Sequence, residues 1–130
     1  MSDLTRTMAA SASGMAAQAA RLRLSTENIA NADTPGYQRK IVSFEETFQR
    51  AGDVRAVATG PVQLDQSELA RIYDPTNPLA GEDGSYLGSN VNLMVEIADA
   101  REANRSYEAN LKMFDQARQM ASSLLDLLRR

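Results

Sequence analysis

The chain has 130 residues, 43% of them hydrophobic and 5% aromatic, a net charge of −3, and neither histidine nor cysteine. Those absences exclude His-based acid–base catalysis, Ser-His-Asp and Cys-His nucleophiles, zinc sites on N/S ligands, and disulfides. A near-balanced charge offers no basic field for nucleic acid, and no apolar run reaches the roughly 18 residues of a membrane span.

The first residues, Met1-Ser2-Asp3-Leu4, show neither a basic stretch nor a leucine-rich one, so no cleavable secretory signal is expected. Residues 3 to 30 contain a single glycine, Gly14, and no proline. Met8, Met15, Leu22 and Ile29 recur every seventh position, with Ala12, Ala19 and Thr26 on the accompanying line. This predicts a long helix with an alanine-rich face, able to approach another helix closely but burying little apolar area. Such a helix is marginal alone and ordered by a partner.

Thr34-Pro35-Gly36-Tyr37 reads as a type II turn. Proline presets φ at the second position and glycine accepts the positive φ required at the third. Asn28 and Asn31, just before it, are suited to bonding the free carbonyls of a helix end. Beyond the turn, residues 40–44, 54–57 and 68–73 read as short extended stretches, with turn signals at Asp74-Pro75, Asn77-Pro78 and Glu82-Asp83-Gly84-Ser85.

From residue 90 onward there is no glycine or proline. Alternating steps of four and three pick out Leu93, Ile97, Ala100, Asn104, Tyr107, Leu111, Phe114, Arg118, Ala121, Leu125 and Leu128, all apolar except Asn104 and Arg118. That is a coiled-coil seam, with Asn104 as a buried polar register residue and Ser89 or Asn90 as the cap of the helix. The expected fold is mainly α: two long terminal helices packed antiparallel as a coiled coil, with a short irregular, β-containing middle segment. The divisions fall at residues 1–33, 34–89 and 90–130. Met8, Met15, Leu22 and Ile29 are expected to align with part of the C-terminal seam, whose remainder is left for other molecules.

Little chemistry is on offer. Glu45-Glu46 and Glu82-Asp83 read as solvated carboxylates, and no phosphate-binding loop occurs. The stretch from Asn31 fails as a calcium loop, with Pro35 at its fifth position and Val42 where a bidentate glutamate is needed. No catalytic, metal or cofactor residue is expected.

The segment Ser25-Thr26-Glu27-Asn28-Ile29-Ala30-Asn31-Ala32-Asp33-Thr34-Pro35-Gly36-Tyr37 resembles the N-terminal signature of bacterial flagellar rod and hook proteins. The signature rests on Asn28, Ile29, Ala30, Asn31, Thr34, Pro35, Gly36 and Tyr37. Val91-Asn92-Leu93-Met94-Val95-Glu96, followed by Ala103-Asn104-Arg105-Ser106-Tyr107-Glu108-Ala109-Asn110, resembles the C-terminal motif of the proximal-rod branch. The resemblance implies a structural subunit of the basal-body rod, the shaft between motor and hook, exported unfolded and assembled in the periplasmic space. It implies as partners other copies of the chain, rod proteins of the FlgB, FlgF, FlgG and FliE types, and the flagellar type III export apparatus. Met8, Met15, Leu22, Ile29, Leu93, Ile97, Asn104, Tyr107, Leu111, Phe114, Leu125 and Leu128 are then the packing and assembly positions. The competing readings are the sister rod protein FlgB and a soluble coiled-coil adaptor or export chaperone.

Overall fold

A computed structural model describes residues 3–49 and 54–129. Helix α1 spans Asp3–Ala30 and helix α2 spans Leu93–Leu128, the latter about 54 Å long at 1.5 Å per residue. Between them lie six short strands: β1 Lys40–Ile41, β2 Phe44–Gln49, β3 Val54–Thr59, β4 Gln63–Leu64, β5 Arg71–Tyr73 and β6 Ser85–Leu87. They pair antiparallel in twos, β1 with β4, β2 with β3 and β5 with β6. The expected strand at 68–73 is shorter, only its last three residues pairing, and the expected one at 40–44 is broken after Ile41. Against α1 runs β3, where the Val57 backbone N–H donates to Ser13 Oγ at 3.1 Å.

The cap of α2 differs from expectation. Asn92 holds that position, its Oδ1 accepting from the N–H groups of Met94 (3.1 Å) and Val95 (3.3 Å). Ser89 and Asn90 are drawn instead into the joint with the middle segment, described below.

The two helices are antiparallel. Arg21 meets Asp99 at 3.4 Å and Glu102 at 3.5 Å, while Gly14 lies against Asn110. Partner numbers across the pair sum to 120–124, and to 124 at the closest approach, Gly14 against Asn110; that register sets Asp3 beside Ala121 and leaves residues 122–128, about two turns, with no opposite residue among those described.

The face that α2 turns to α1 is not centred on the expected seam. Ala100, Phe114 and Ala121 are half-buried as members of both lines, but Ile97, Asn104, Leu111, Arg118 and Leu125 are exposed. Their places are taken one residue earlier by Glu96, Ala103 and Ala117, all buried, and by half-buried Asn110. On α1 the buried residues are Ser11, Ala17, Leu24, Ser25 and Asn28, whereas Met8, Met15, Leu22 and Ile29 are only half-buried. The pair has thus rotated by about 50° away from its greasiest line toward its smallest one. Close approach is the physical reason. At Gly14 an added Cβ would sit 2.9 Å from Asn110 Nδ2, a gap that only glycine opposite a short side chain allows. The asparagine of α2 that lies against α1 is therefore Asn110, whose Nδ2 donates to Ser106 O at 3.0 Å, and not the exposed Asn104.

This notch makes a coupled prediction. Gly14→Ala alone should destabilise the full chain by about 1 kcal/mol in urea unfolding, because the Asn110 side chain must move. In an Asn110→Ala background the same change should stabilise by up to about 1 kcal/mol, alanine's helix-propensity advantage. Additive effects in the double variant would remove the notch from the account.

Candidate assembly site

The end of α1 is bound to the chain that leaves it by side chains imitating backbone. Asn28, 1% exposed, accepts the Lys40 N–H at Oδ1 (2.9 Å) and donates Nδ2 to Lys40 O (2.9 Å), as a neighbouring strand would. The same Oδ1 accepts the Tyr37 hydroxyl at 2.8 Å. Asn31 donates Nδ2 to Glu27 O (2.9 Å), satisfying a carbonyl at the helix end, and its Oδ1 accepts the Thr34 hydroxyl (3.1 Å).

Between them the chain reverses. The Tyr37 N–H reaches Thr34 O at 3.2 Å with Gly36 at φ 75°, and the Gly36 N–H meets the carbonyls of Leu87 (3.2 Å) and Gly88 (3.0 Å). Ser89 Oγ donates to Ala32 O, so both ends of the middle segment are fastened at one level. Of the remaining motif positions, Ile29 is half-buried and Ala30 and Pro35 are exposed.

Two residues past the turn, Arg39 gathers the start of α2. Its Nε donates to Glu96 Oε1, with Asp65 Oδ2 at 3.4 Å from one terminal nitrogen and Asp99 Oδ2 at 3.3 Å from the other. Its backbone N–H donates to Asn90 Oδ1 (2.6 Å), and its carbonyl accepts from Asp65 N–H (2.7 Å). Asn90 Nδ2 completes the ring by donating to Asp65 O at 2.9 Å.

The electrostatics follow this geometry. Burial pulls the Arg39 guanidinium toward losing its proton, but the bonds to Glu96 and Asp65 and the nearby Asp99 outweigh it and leave the pKa raised. Asp65 is held below the usual carboxylate range by hydrogen bonds from Ser67 and then from Arg39. Lys40, 2.5 Å from Glu27 Oε1, is raised by that bond, and Tyr37 is raised by burial and then by Glu27.

Neither the composition nor the heptad reading singled out Arg39, Asp65, Asn90, Glu96 or Asp99 for this role. Glu96 carries the one signal available: a carboxylate inside the apolar stretch Leu93-Met94-Val95-Glu96-Ile97.

The expected assembly positions divide between two surroundings. Leu93, Ile97, Tyr107, Leu111, Leu125 and Leu128 are exposed on α2, together with Met94, Met113, Met120, Leu124 and Leu127. Asn104 and Tyr107 form one wall of an open groove of about 630 Å³, whose other wall is Ala19, Leu22, Arg23, Thr26, Glu27 and Ala30 of α1. Large apolar side chains at this density on one helix make an exposed apolar surface larger than scattered single residues would give. Among the described residues no helix is long and apolar enough to cross a membrane, and no carboxylate group is arranged to hold a metal ion.

Joints and unsatisfied helix faces of this kind define a structural subunit, one whose surfaces are completed by neighbours. Known proteins bear directly on which. Residues 8–38 match the family model described as flagella basal body rod protein, and residues 83–127 match that of the flagellar basal body rod FlgEFG protein C-terminal region. A flagellar basal-body rod protein FlgC from Agrobacterium fabrum is 40% identical over 99% of this chain and 98% of its own length. FlgC proteins of Salmonella typhimurium and Bacillus subtilis are each 31% identical, covering 88% and 90% of this chain and 90% and 93% of their own lengths. The chain belongs to the flagellar basal-body rod protein family.

The joint makes its own prediction. Arg39→Met leaves the buried Glu96 carboxylate without its cation and should cost about 3–5 kcal/mol in thermal or urea unfolding. Arg21→Met should cost under about 1 kcal/mol, because Asp99 and Glu102 keep contact with water. Equal losses would show that Arg39 is not the hub.

Proposed function

We propose that this chain is a structural subunit of the flagellar rod, at the proximal position of the relatives named FlgC, and that it assembles through the exposed faces of its terminal helices. The observation that carries the reading is the pairing of near-full-length likeness to those relatives with an apolar stripe on α2 that the subunit itself leaves uncovered. Its neighbours in this reading are further copies and other basal-body rod proteins, of the FlgB, FlgF, FlgG and FliE types. The site of action is the rod in the periplasmic space, reached through the flagellar type III export apparatus.

The physics of the fold suits that work. A helix pair with Ala17, Ala103 and Ala117 at its contact is thin and closely packed, so neighbouring pairs can form a dense inner layer that resists shear. The strand-containing middle segment, fastened at Asn28, Arg39, Ser89 and Asn90, is left free to meet other components. Pairing through small side chains also keeps the isolated subunit marginal, which eases threading through a narrow export channel.

The reading is tested in cells. Deleting the gene should abolish swimming and leave basal bodies without a rod, and the wild-type chain should restore both. Leu111→Asp, placed on the exposed stripe, should leave the chain folded with its two helices, at a small cost in melting temperature, while failing to restore motility. Motility restored by Leu111→Asp would overturn the stripe as an assembly surface. Intact rods in the deletion strain would overturn the function.

A further inference from the structure

Two surfaces of this molecule complement each other yet cannot meet within it. One is the tip of α2, past the last residue that α1 reaches, where Leu124, Leu125, Leu127 and Leu128 are 53%, 58%, 65% and 83% exposed. The other is the groove walled by Ala19, Leu22, Thr26 and Ala30 of α1 and by Asn104 and Tyr107 of α2. They lie about 20 residues apart along α2, roughly 30 Å of helix.

We propose that the α2 tip of one copy seats in the α1–α2 groove of the next, antiparallel to α1. The proposal rests on the rod-subunit reading and names the surfaces that carry it. Three observations support a second copy as the occupant. The groove and the tip are both apolar, and neither is covered by another element among the described residues. Their charges match: Arg23 is exposed on the groove rim and Asp126 is exposed on the tip, and neither has an ion-pair partner among the described residues. The direction follows from stacking copies without reversal, since α2 of every copy then runs the same way and so opposes α1 of its neighbour.

With Asp126 opposite Arg23, that course sets Leu127 beside Leu22, Ser123 beside Thr26 and Ser122 beside Glu27, and it carries Arg129 past Arg23 toward Ala20. No like charges face each other. Because groove and tip are different surfaces, the contact is heterologous and does not close on itself, so each addition presents a new tip or groove.

The absence of cysteine makes the test direct. Thr26→Cys and Ser123→Cys, both at exposed positions, are introduced together into the full chain, which is then concentrated and oxidised. A ladder of disulfide-linked dimers, trimers and longer species is expected on a non-reducing gel, with no ladder from either single variant. Asp126→Arg should abolish the ladder in the double-cysteine chain, and adding Arg23→Asp should restore it.

No ladder from a chain that sediments as large assemblies would overturn the groove-and-tip pairing and leave the rod reading standing. A wild-type chain that stays monomeric at every concentration and is absent from purified basal bodies would overturn both. Cross-links formed in basal bodies only to a different rod protein would overturn the choice of a second copy as occupant.

Discussion

The arrangement depends on one contact: α1 meets α2 through small and polar side chains. Ala17, Ala103 and Ala117 are buried at about 3% exposure or less, and Gly14 opens a notch for Asn110. Small residues permit close approach, but they bury little apolar area, worth only about 25 cal/mol per Å². The consequence is geometric as much as energetic. Turning the small line inward turns the line of Ile97, Leu111 and Leu125 outward. A subunit held by its least apolar face has its most apolar face to offer.

That constraint also explains why the joint is so heavily hydrogen-bonded. A thin helix pair cannot enclose the middle segment in a core, so the segment is fastened by directed polar contacts. Asn28 stands in for a strand toward Lys40, Asn31 closes the helix end, and Asn90 ties Arg39 to Asp65. Arg39 compensates Glu96, which α2 buries at its first turn. Such contacts fix position sharply while adding little bulk. The helices and the middle segment are therefore joined by short, defined bonds.

Much of this was legible in the order of residues. Both helices follow from seven-residue recurrence and from the lack of glycine and proline. The reversal at Thr34-Pro35-Gly36-Tyr37 follows from backbone preference alone, since few residues but glycine accept the φ of 75° found at Gly36. What periodicity misjudged was the inward face, because a hydrophobic count ranks Leu111 above Ala103, whereas helix approach ranks them the other way. Asn104 was misplaced for the same reason, six residues from the Asn110 that does lie against α1. The Arg39 hub was invisible because it joins residues 39, 65, 90, 96 and 99, and such meetings depend on the fold rather than on spacing. The cap at Asn92, two or three residues beyond the expected ones, reflects the use of Ser89 and Asn90 in the joint.

Amide hydrogen exchange on the isolated chain and on the assembled rod tests the central claim most directly. In the isolated chain, residues 96–117 of α2 should be protected while residues 122–128 exchange near the rate of an unfolded segment, and in the rod those same last residues should become protected. Equal protection along the whole of α2 in the isolated chain, or a tip that still exchanges freely in the rod, would contradict it.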